Sequence, residues 1–292
     1  MRITPLAFES LGVRSMATHV EAGGVGIVID PAVALAPRRF GLPPHPVEEE
    51  AKAALWGRVK EHVVGADVIV VTHYHYDHVD PEEPEIYRGK TVLLKHPKAM
   101  INRSQRERAA ALLPRLRELA GEVRYGDGRR FRFGDAEVRL SRPVPHGMTA
   151  LRGFVVEVSV RADETFLYTS DVQGPLLEEQ VDFVLEERPD TVFVDGPTTY
   201  IDSPYLPVEL REACDNLVRI IREAGASRLV IDHHLTRDLG YRERIERVYE
   251  AGEEQGVTVE CAAEFLNVEP NLLEARRREL YGAEEADGDV GG

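Results

Sequence analysis

The sequence is poor in cysteine, in lysine and in basic charge overall. Two cysteines, Cys214 and Cys261, stand far apart among 292 residues and outside any paired-thiol motif. Neither a disulfide framework nor a thiolate metal site is expected, so a bound metal would have to be held by imidazole and carboxylate. No run approaches the roughly 18 consecutive apolar residues that a membrane span needs, and the N-terminus lacks a basic stretch followed by an apolar one. The expected location is the cytoplasm, with no membrane partner. Lys and Arg total 36 against 51 Asp and Glu, a formal charge of −15. A field of that sign repels polyanions and weighs against nucleic acid as a partner. Only five of the basic residues are Lys, a bias that fits GC-rich coding, or adaptation to heat or salt through charged surface networks, and carries no functional reading.

What is present is a globular profile, 43% hydrophobic and 30% charged. Residues 3–8, 15–21 and 25–30 read as three strands, the last two joined by Ala22-Gly23-Gly24. The third, Val25-Gly26-Ile27-Val28-Ile29, ends in Asp30-Pro31, which sets a carboxylate at the end of a buried strand. The Pro-rich stretch 31–46, carrying Arg38 and Arg39, is too long for a tight connection and reads as a loop that is either mobile or part of a site, with that pair either holding an anion or standing as a surface pair. Ala51, Leu55, Val59 and Val63 recur at helical spacing, followed by the apolar strand Val68-Ile69-Val70-Val71. A strand at 91–95 and an Arg-rich helix at 104–120 come next. Residues 122–169 read as an antiparallel β region. Helices at 175–187, 207–223 and 241–254 then alternate with strands at 191–194 and 229–231.

Each half runs β-rich and then βα, without a repeating period. Two sheets packed face to face with helices outside account for that order. A single domain is expected over 1–281, followed by a disordered acidic tail at 282–292.

The strongest chemical signal is Thr72-His73-Tyr74-His75-Tyr76-Asp77-His78, directly after the buried strand. Four of six successive residues, His73, His75, Asp77 and His78, are candidate ligands. Alternate side chains of an extended segment share a face, so His73 and His75 can point to one centre. A following turn can swing Asp77 and His78 to a neighbouring one. Such a donor set suits Zn²⁺, and also Fe or Mn, better than Ca²⁺ or Mg²⁺. Crowding these groups at the end of a hydrophobic strand is costly without a cation to orient and neutralise them.

A His-x-His-x-Asp-His run after a strand resembles the hallmark of the metallo-β-lactamase superfamily, and the resemblance covers nearly the whole chain. Asp30 looks like the first motif. His146 in Pro-Val-Pro-His-Gly looks like the third, Asp171 in Leu-Tyr-Thr-Ser-Asp-Val the fourth, and His233 in Leu-Val-Ile-Asp-His-His the fifth. The resemblance implies an α/β fold, a four-layer αββα sandwich of two mixed β-sheets with helices on the outer faces. It also implies two metal ions, Zn²⁺ by type, with His73, His75 and His146 on one, Asp77, His78 and His233 on the other, and Asp171 between them. Asp30, Asp77 and His234 are the candidate catalytic residues. Asp30 would support a ligand imidazole, and His234 would face substrate if His233 is the ligand of the doublet.

Glu replaces the second histidine of the cluster in the superfamily's flavo-diiron proteins, and here that position is His75. His146 is followed by Gly147-Met148-Thr149 rather than the His-x-x-Gly-His of the glyoxalase-like members, and the fourth motif holds Asp171 rather than Cys. The chain therefore resembles the phosphodiesterase and nuclease side, or an archaeal branch beside it. The expected activity is hydrolysis of an ester, above all a phosphodiester, in a small molecule. Alternatives are a hydrolase of a small thioester, lactone or amide, a di-iron redox protein, and a non-catalytic metal-binding module. Homo-oligomerisation is left open. Asp195 and Tyr200 could add a carboxylate and a hydroxyl to the site. Arg103, Arg106, Arg108, Arg115 and Arg117 read as a solvated helix face before a nucleic-acid groove, and His19, His45, His62 and His96 as structural or exposed.

Overall fold

The structure, a computed structural model, describes residues 1–288. The chain opens with β1 (Arg2–Phe8), β2 (Met16–Ala22) and β3 (Val25–Ile29), paired antiparallel in that order. Gly23 and Gly24 turn the second hairpin at φ 56° and 78°, a region open to glycine at little cost. β4 (Val68–Val71), β5 (Thr91–Leu94) and β6 (Glu122–Tyr125) then join in parallel. Their crossovers carry α1 (Pro46–Gly65) and α2 (Arg103–Leu119). Register pairs Ile29 with Val70, so Asp30 and the histidine run leave adjacent strands side by side.

One expectation is corrected here. Residues 122–169 are not a single antiparallel region, because β6 closes the first sheet in parallel. Glu122 is exposed and Val123, Arg124 and Tyr125 are half-buried, so this strand carries an edge pattern, and alternation alone cannot tell a parallel edge from an antiparallel one.

The second sheet is built from β7 (Arg130–Phe133) and β8 (Ala136–Leu140), then, past a short ladder of β9 (Val144–Pro145) with β10 (Phe154–Val155), from β11 (Val158–Arg161) and β12 (Thr165–Tyr168). β13 (Thr191–Asp195), β14 (Arg228–Asp232) and β15 (Thr258–Glu260) extend it in parallel, giving the order β15-β14-β13-β12-β11-β8-β7. α3 (Glu178–Glu187), α4 (Leu206–Glu223), α5 (Tyr241–Arg244) and α6 (Glu246–Gln255) lie among these strands, followed by α7 (Ala262–Phe265) and α8 (Arg277–Gly288).

Strand periodicity sorts the core into the expected layers. Val68 and Val70 pack with Ile27, Ile29, Phe166 and Phe193 between the sheets. Ile69 and Val71 face the other way, onto Val59, Leu112 and Leu116 of α1 and α2. On the far side Val192, Val194, Leu229 and Ile231 meet Leu217, Ile221 and Val248 of α4 and α6. The result is the four-layer α/β sandwich that the sequence implies.

α8 continues helical through Gly288, and Ala and Glu, which fill this stretch, are strong helix formers. Residues 289–292 of the expected disordered tail lie outside the described residues. At the start of α8, Arg277 is fully buried and donates to both oxygens of Glu48 at 2.7 Å. It also donates to the carbonyls of Ala36 and Leu42, tying the Pro-rich loop to the end of the chain. Among the described residues no helix is long and apolar enough to cross a membrane.

Candidate metal centre

The site forms where parallel strands of both sheets end, the usual place for a ligand in such folds. Asp30 follows β3, the histidine run follows β4, Asp171 follows β12 and His233 follows β14. The chain turns sharply there. Asp30, Ser170, Gln173 and His233 all adopt left-handed backbone, at φ 50°, 58°, 58° and 60°. Each non-glycine residue held so costs on the order of 1–3 kcal/mol, and such strain gathers at functional sites. Asp232 anchors one turn by accepting from the backbone of Ser10, His233 and Ala262 and from Thr236 Oγ1.

All seven predicted ligands come together. Donor atoms of His73, His75, His146 and Asp171 lie within 4.8 Å of one another, and so do those of Asp77, His78, Asp171 and His233. Asp171 belongs to both groups. Its Oδ2 is 3.3 Å from His146 Nε2, 3.5 Å from His233 Nε2 and 3.6 Å from His73 Nε2, while Oδ1 is 2.8 Å from His78 Nε2. His233 Nε2 is also 3.6 Å from Asp77 Oδ2.

The donor chemistry fits metal ions. Burial holds the His73 imidazole well below its usual range and brings His75 down to about 4, so both present neutral lone pairs. Burial opposes ionisation of Asp77 and Asp171, yet nearby His78 and His233 outweigh it, leaving Asp77 at about 2 and Asp171 well below the usual range. His73 Nε2 is buried without a hydrogen-bond partner among the described residues, and His78 Nε2 and Asp171 Oδ1 have only each other, at 2.8 Å. Converging, desolvated lone pairs of this kind are costly without a cation between them.

A hydrogen-bonded shell orients the ligands. Asp30 is fully buried, and its Oδ1 accepts from Thr72 N at 2.8 Å. Its Oδ2 accepts from Thr72 Oγ1 at 2.6 Å, His78 Nδ1 at 2.8 Å and Tyr168 OH at 2.9 Å. Ser170 Oγ is 3.3 Å from His73 Nδ1, and Gln105 Nε2 is 3.5 Å from His75 Nε2. Asp30 thus stands beside the ligands with both oxygens already engaged.

A cleft of about 440 Å³ opens over the centre, lined by His75, Asp77, His146, Asp171 and His234 together with Arg14, Arg108, Arg152, Tyr200 and Arg237. Arg14 is paired bidentately with Glu274, and buried Arg237 with Glu9. Arg108 lies 4.4 Å over the Tyr76 ring and donates to the Tyr74 carbonyl. Neither Arg108 nor Arg152 has a carboxylate partner among the described residues. Tyr200 reaches the cleft as expected and accepts from Arg237 Nη1 at 3.2 Å.

Asp195 does not join the ligands. Its carboxylate accepts from the backbone of Gln173 and His234 and lies 2.9 Å from His234 Nδ1. Arg39 stacks 4.6 Å over Tyr200 in an adjoining cavity, and Arg38 turns away to the Gly41 carbonyl. Arg103 and Arg106 are solvated as expected, whereas Arg108 is not. His19 of β2 and His62 of α1 pair at 2.9 Å away from the centre, His45 caps α1, and His96 Nδ1 accepts two backbone N–H groups.

The sequence reading missed Glu9, Gln105, Tyr168, Ser170 and Arg237. Burial pushes Glu9 up to about 8 even with Arg237 opposing. Arg237 Nη2 is 3.1 Å from His233 Nε2, four residues back on the same turn. A His-x-x-x-Arg spacing at a strand end was the available signal for it.

No protein-family model matches the chain. It is 45% identical over 287 residues to a UPF0282 protein of Metallosphaera sedula, covering 96% of this chain and 93% of the relative. Against a UPF0282 protein of Korarchaeum cryptofilum the identity is 47% over 284 residues, covering 96% and 94%. Among solved structures, an isothiocyanate hydrolase from Delia radicum gut bacteria superposes with a TM-score of 0.53 at 15% identity, over 89% of this chain and 95% of the other. A possible metal-dependent hydrolase from Veillonella parvula gives 0.52 at 14%, over 85% and 94%. CmlA, a diiron β-hydroxylase from Streptomyces venezuelae, gives 0.50 at 16%, over 84% of this chain and 51% of its own. At such identities the likeness is one of fold, the metallo-β-lactamase fold.

Proposed function

Because the chain belongs to the UPF0282 family and joins a metallo-β-lactamase fold to a His/Asp cluster able to hold metal, we propose that it is a metal-dependent hydrolase of a small anionic ester, a phosphodiester by class. His73, His75 and His146 would hold one ion and Asp77, His78 and His233 the other, with Asp171 shared. The imidazole-rich set suits Zn²⁺, with Fe and Mn as the alternatives. When bound, the ions supply Lewis acidity and bring a water toward the pKa at which it is a nucleophile at neutral pH.

The protein's own groups do the rest. Asp30 and Ser170 fix the ring orientations of His78 and His73, so the ligands need not reorganise. His234 lies on the cleft wall with Nδ1 2.9 Å from Asp195 and Nε2 3.3 Å from Gln173 Nε2, and would contact the substrate there. Hydrolysis places the water oxygen on phosphorus and releases the leaving oxygen, protonated, as an alcohol.

The observation that carries the phosphodiester reading is the pair of guanidiniums, Arg108 and Arg152, lining the cleft without carboxylate partners. A neutral lactone or thioester offers them one uncharged carbonyl oxygen, whereas two charged phosphate oxygens accept from a guanidinium fork. The test is metal analysis of the purified protein, then bis(p-nitrophenyl) phosphate against p-nitrophenyl acetate, with and without chelator. Chelator-sensitive turnover of the diester above the acetate is expected. The reverse preference refutes the phosphodiester assignment, and turnover of neither refutes the hydrolase reading.

A further inference from the structure

A second cavity, of about 430 Å³, runs off the metal cleft and shares His146, Arg152 and Ile201 with it. One wall is the arm between β9 and β10, turned by Gly147 at φ 83° and Gly153 at φ 96°. The arm is held by its carbonyls. Gln180 Nε2 donates to Gly147 O, Asn102 Nδ2 to Leu151 O and Gln105 Nε2 to Arg152 O, at 2.9–3.0 Å. With the backbone so fixed, the side chains of Met148 and Leu151 stand on the rim, 39% and 86% exposed. Ile201 and Leu206 line the facing wall beside Tyr205, which is 70% exposed.

Large apolar side chains left in water around a cavity mark a place that something apolar covers. Here the cavity is continuous with the catalytic cleft, and its volume is that of a small-molecule site. Arg108 lines the metal cleft, Met148, Leu151 and Tyr205 line the adjoining cavity, and Arg152 lines both, so two parts of a bound ester meet different surroundings.

We propose that this groove is the subsite for an alkyl or aryl substituent of the ester, so that the substrate is amphipathic: a charged phosphodiester head at the metal centre and an apolar arm between Leu151 and Tyr205. The proposal rests on the hydrolase reading and deepens it. The arm lies across the rim with the head oriented by Arg152, which belongs to both cavities.

The test uses zinc-loaded full-length protein and a series of alkyl p-nitrophenyl phosphates from methyl to hexyl. Catalytic efficiency should rise with chain length, by up to about fourfold for each methylene that is buried. Leu151→Asp and Tyr205→Ala should each lower the hexyl-to-methyl ratio about tenfold, a loss of about 1.4 kcal/mol. Binding of hexylphosphonate against methylphosphonate, measured by calorimetry, gives a readout that needs no turnover. Chain-length-independent efficiency with unchanged ratios in both variants overturns the subsite while leaving the hydrolase intact. No turnover of any diester overturns the hydrolase reading, and the phosphonate series then decides the subsite alone: equal affinities refute it, and tighter hexyl binding that Leu151→Asp abolishes supports it.

Discussion

Asp30 Oδ2 lies 2.8 Å from His78 Nδ1, with both side chains fully buried and 48 residues apart in sequence. The contact fixes which ring nitrogen of His78 carries the proton and leaves Nε2 turned toward Asp171. Asp30→Asn keeps the shape and removes the charge that favours that tautomer. Outer carboxylates of this kind are worth about 10–100-fold in metal affinity or activity. The variant should therefore bind Zn²⁺ about 10–100-fold more weakly in competition with a chelating dye while its circular dichroism remains that of the wild type. Unaltered affinity would remove Asp30 from the supporting role.

Asp171 is the only ligand candidate common to both four-residue groups. Its loss should disturb both ions, whereas His75→Ala removes a donor from one group alone. Asp171→Ala is expected to lower turnover at least about a thousandfold, because the metal's Lewis acidity contributes several kcal/mol. Elemental analysis should show less metal per chain than His75→Ala retains. Full occupancy with normal turnover in Asp171→Ala would be incompatible with a shared carboxylate.

The candidate ligands were legible because His73, His75, Asp77 and His78 form one local run at the end of a strand whose four residues are all buried. Asp30, His146, Asp171 and His233 were legible only as an ordered set, each of them a single polar residue after an apolar strand. Apart from Arg237, four residues after His233, the supporting residues have no such signature. Tyr168 reaches Asp30 across 138 residues and Arg237 reaches Glu9 across 228, and nothing near either residue in sequence announces its partner. The layered fold followed from which strands were apolar on both faces. β6 did not, since an edge strand with mixed exposure looks the same in either sheet.

Glu157 provides a stability test away from the centre. It is fully buried, and neither carboxylate oxygen has a hydrogen-bond partner among the described residues. Burial, with Asp182 adding, pushes its carboxyl well above the usual value of 4.5. For an acid whose folded pKa is raised, the favourable contribution is complete below the unfolded pKa and is lost as pH rises through the folded one. Glu157→Gln should therefore be more stable than wild type at pH 7–9, by about 1–3 kcal/mol. The melting temperature should rise by a few degrees. The difference should shrink toward pH 4–5. Thermal melts of both proteins across that range check the sign, and a variant less stable than wild type at pH 8 would mean that Glu157 has a partner when ionised.

Arg108 and Arg152 separate an anionic substrate from a neutral one. Arg152 is exposed, so trimming it should leave thermal stability nearly unchanged, as surface substitutions usually do. A guanidinium that forks onto a phosphate gives a charge-assisted bond worth about 1.5–3 kcal/mol. Arg152→Ala is accordingly expected to raise KM for a phosphodiester about 10–100-fold. Arg152→Lys should recover only part of that loss, since an ammonium lacks the fork. Added salt should weaken the wild type more than the alanine variant, because the screened charge is already absent from the latter. If Arg152→Ala and Arg108→Ala both leave the diester KM unchanged, the cleft does not read negative charge, and the ester it cleaves is a neutral one.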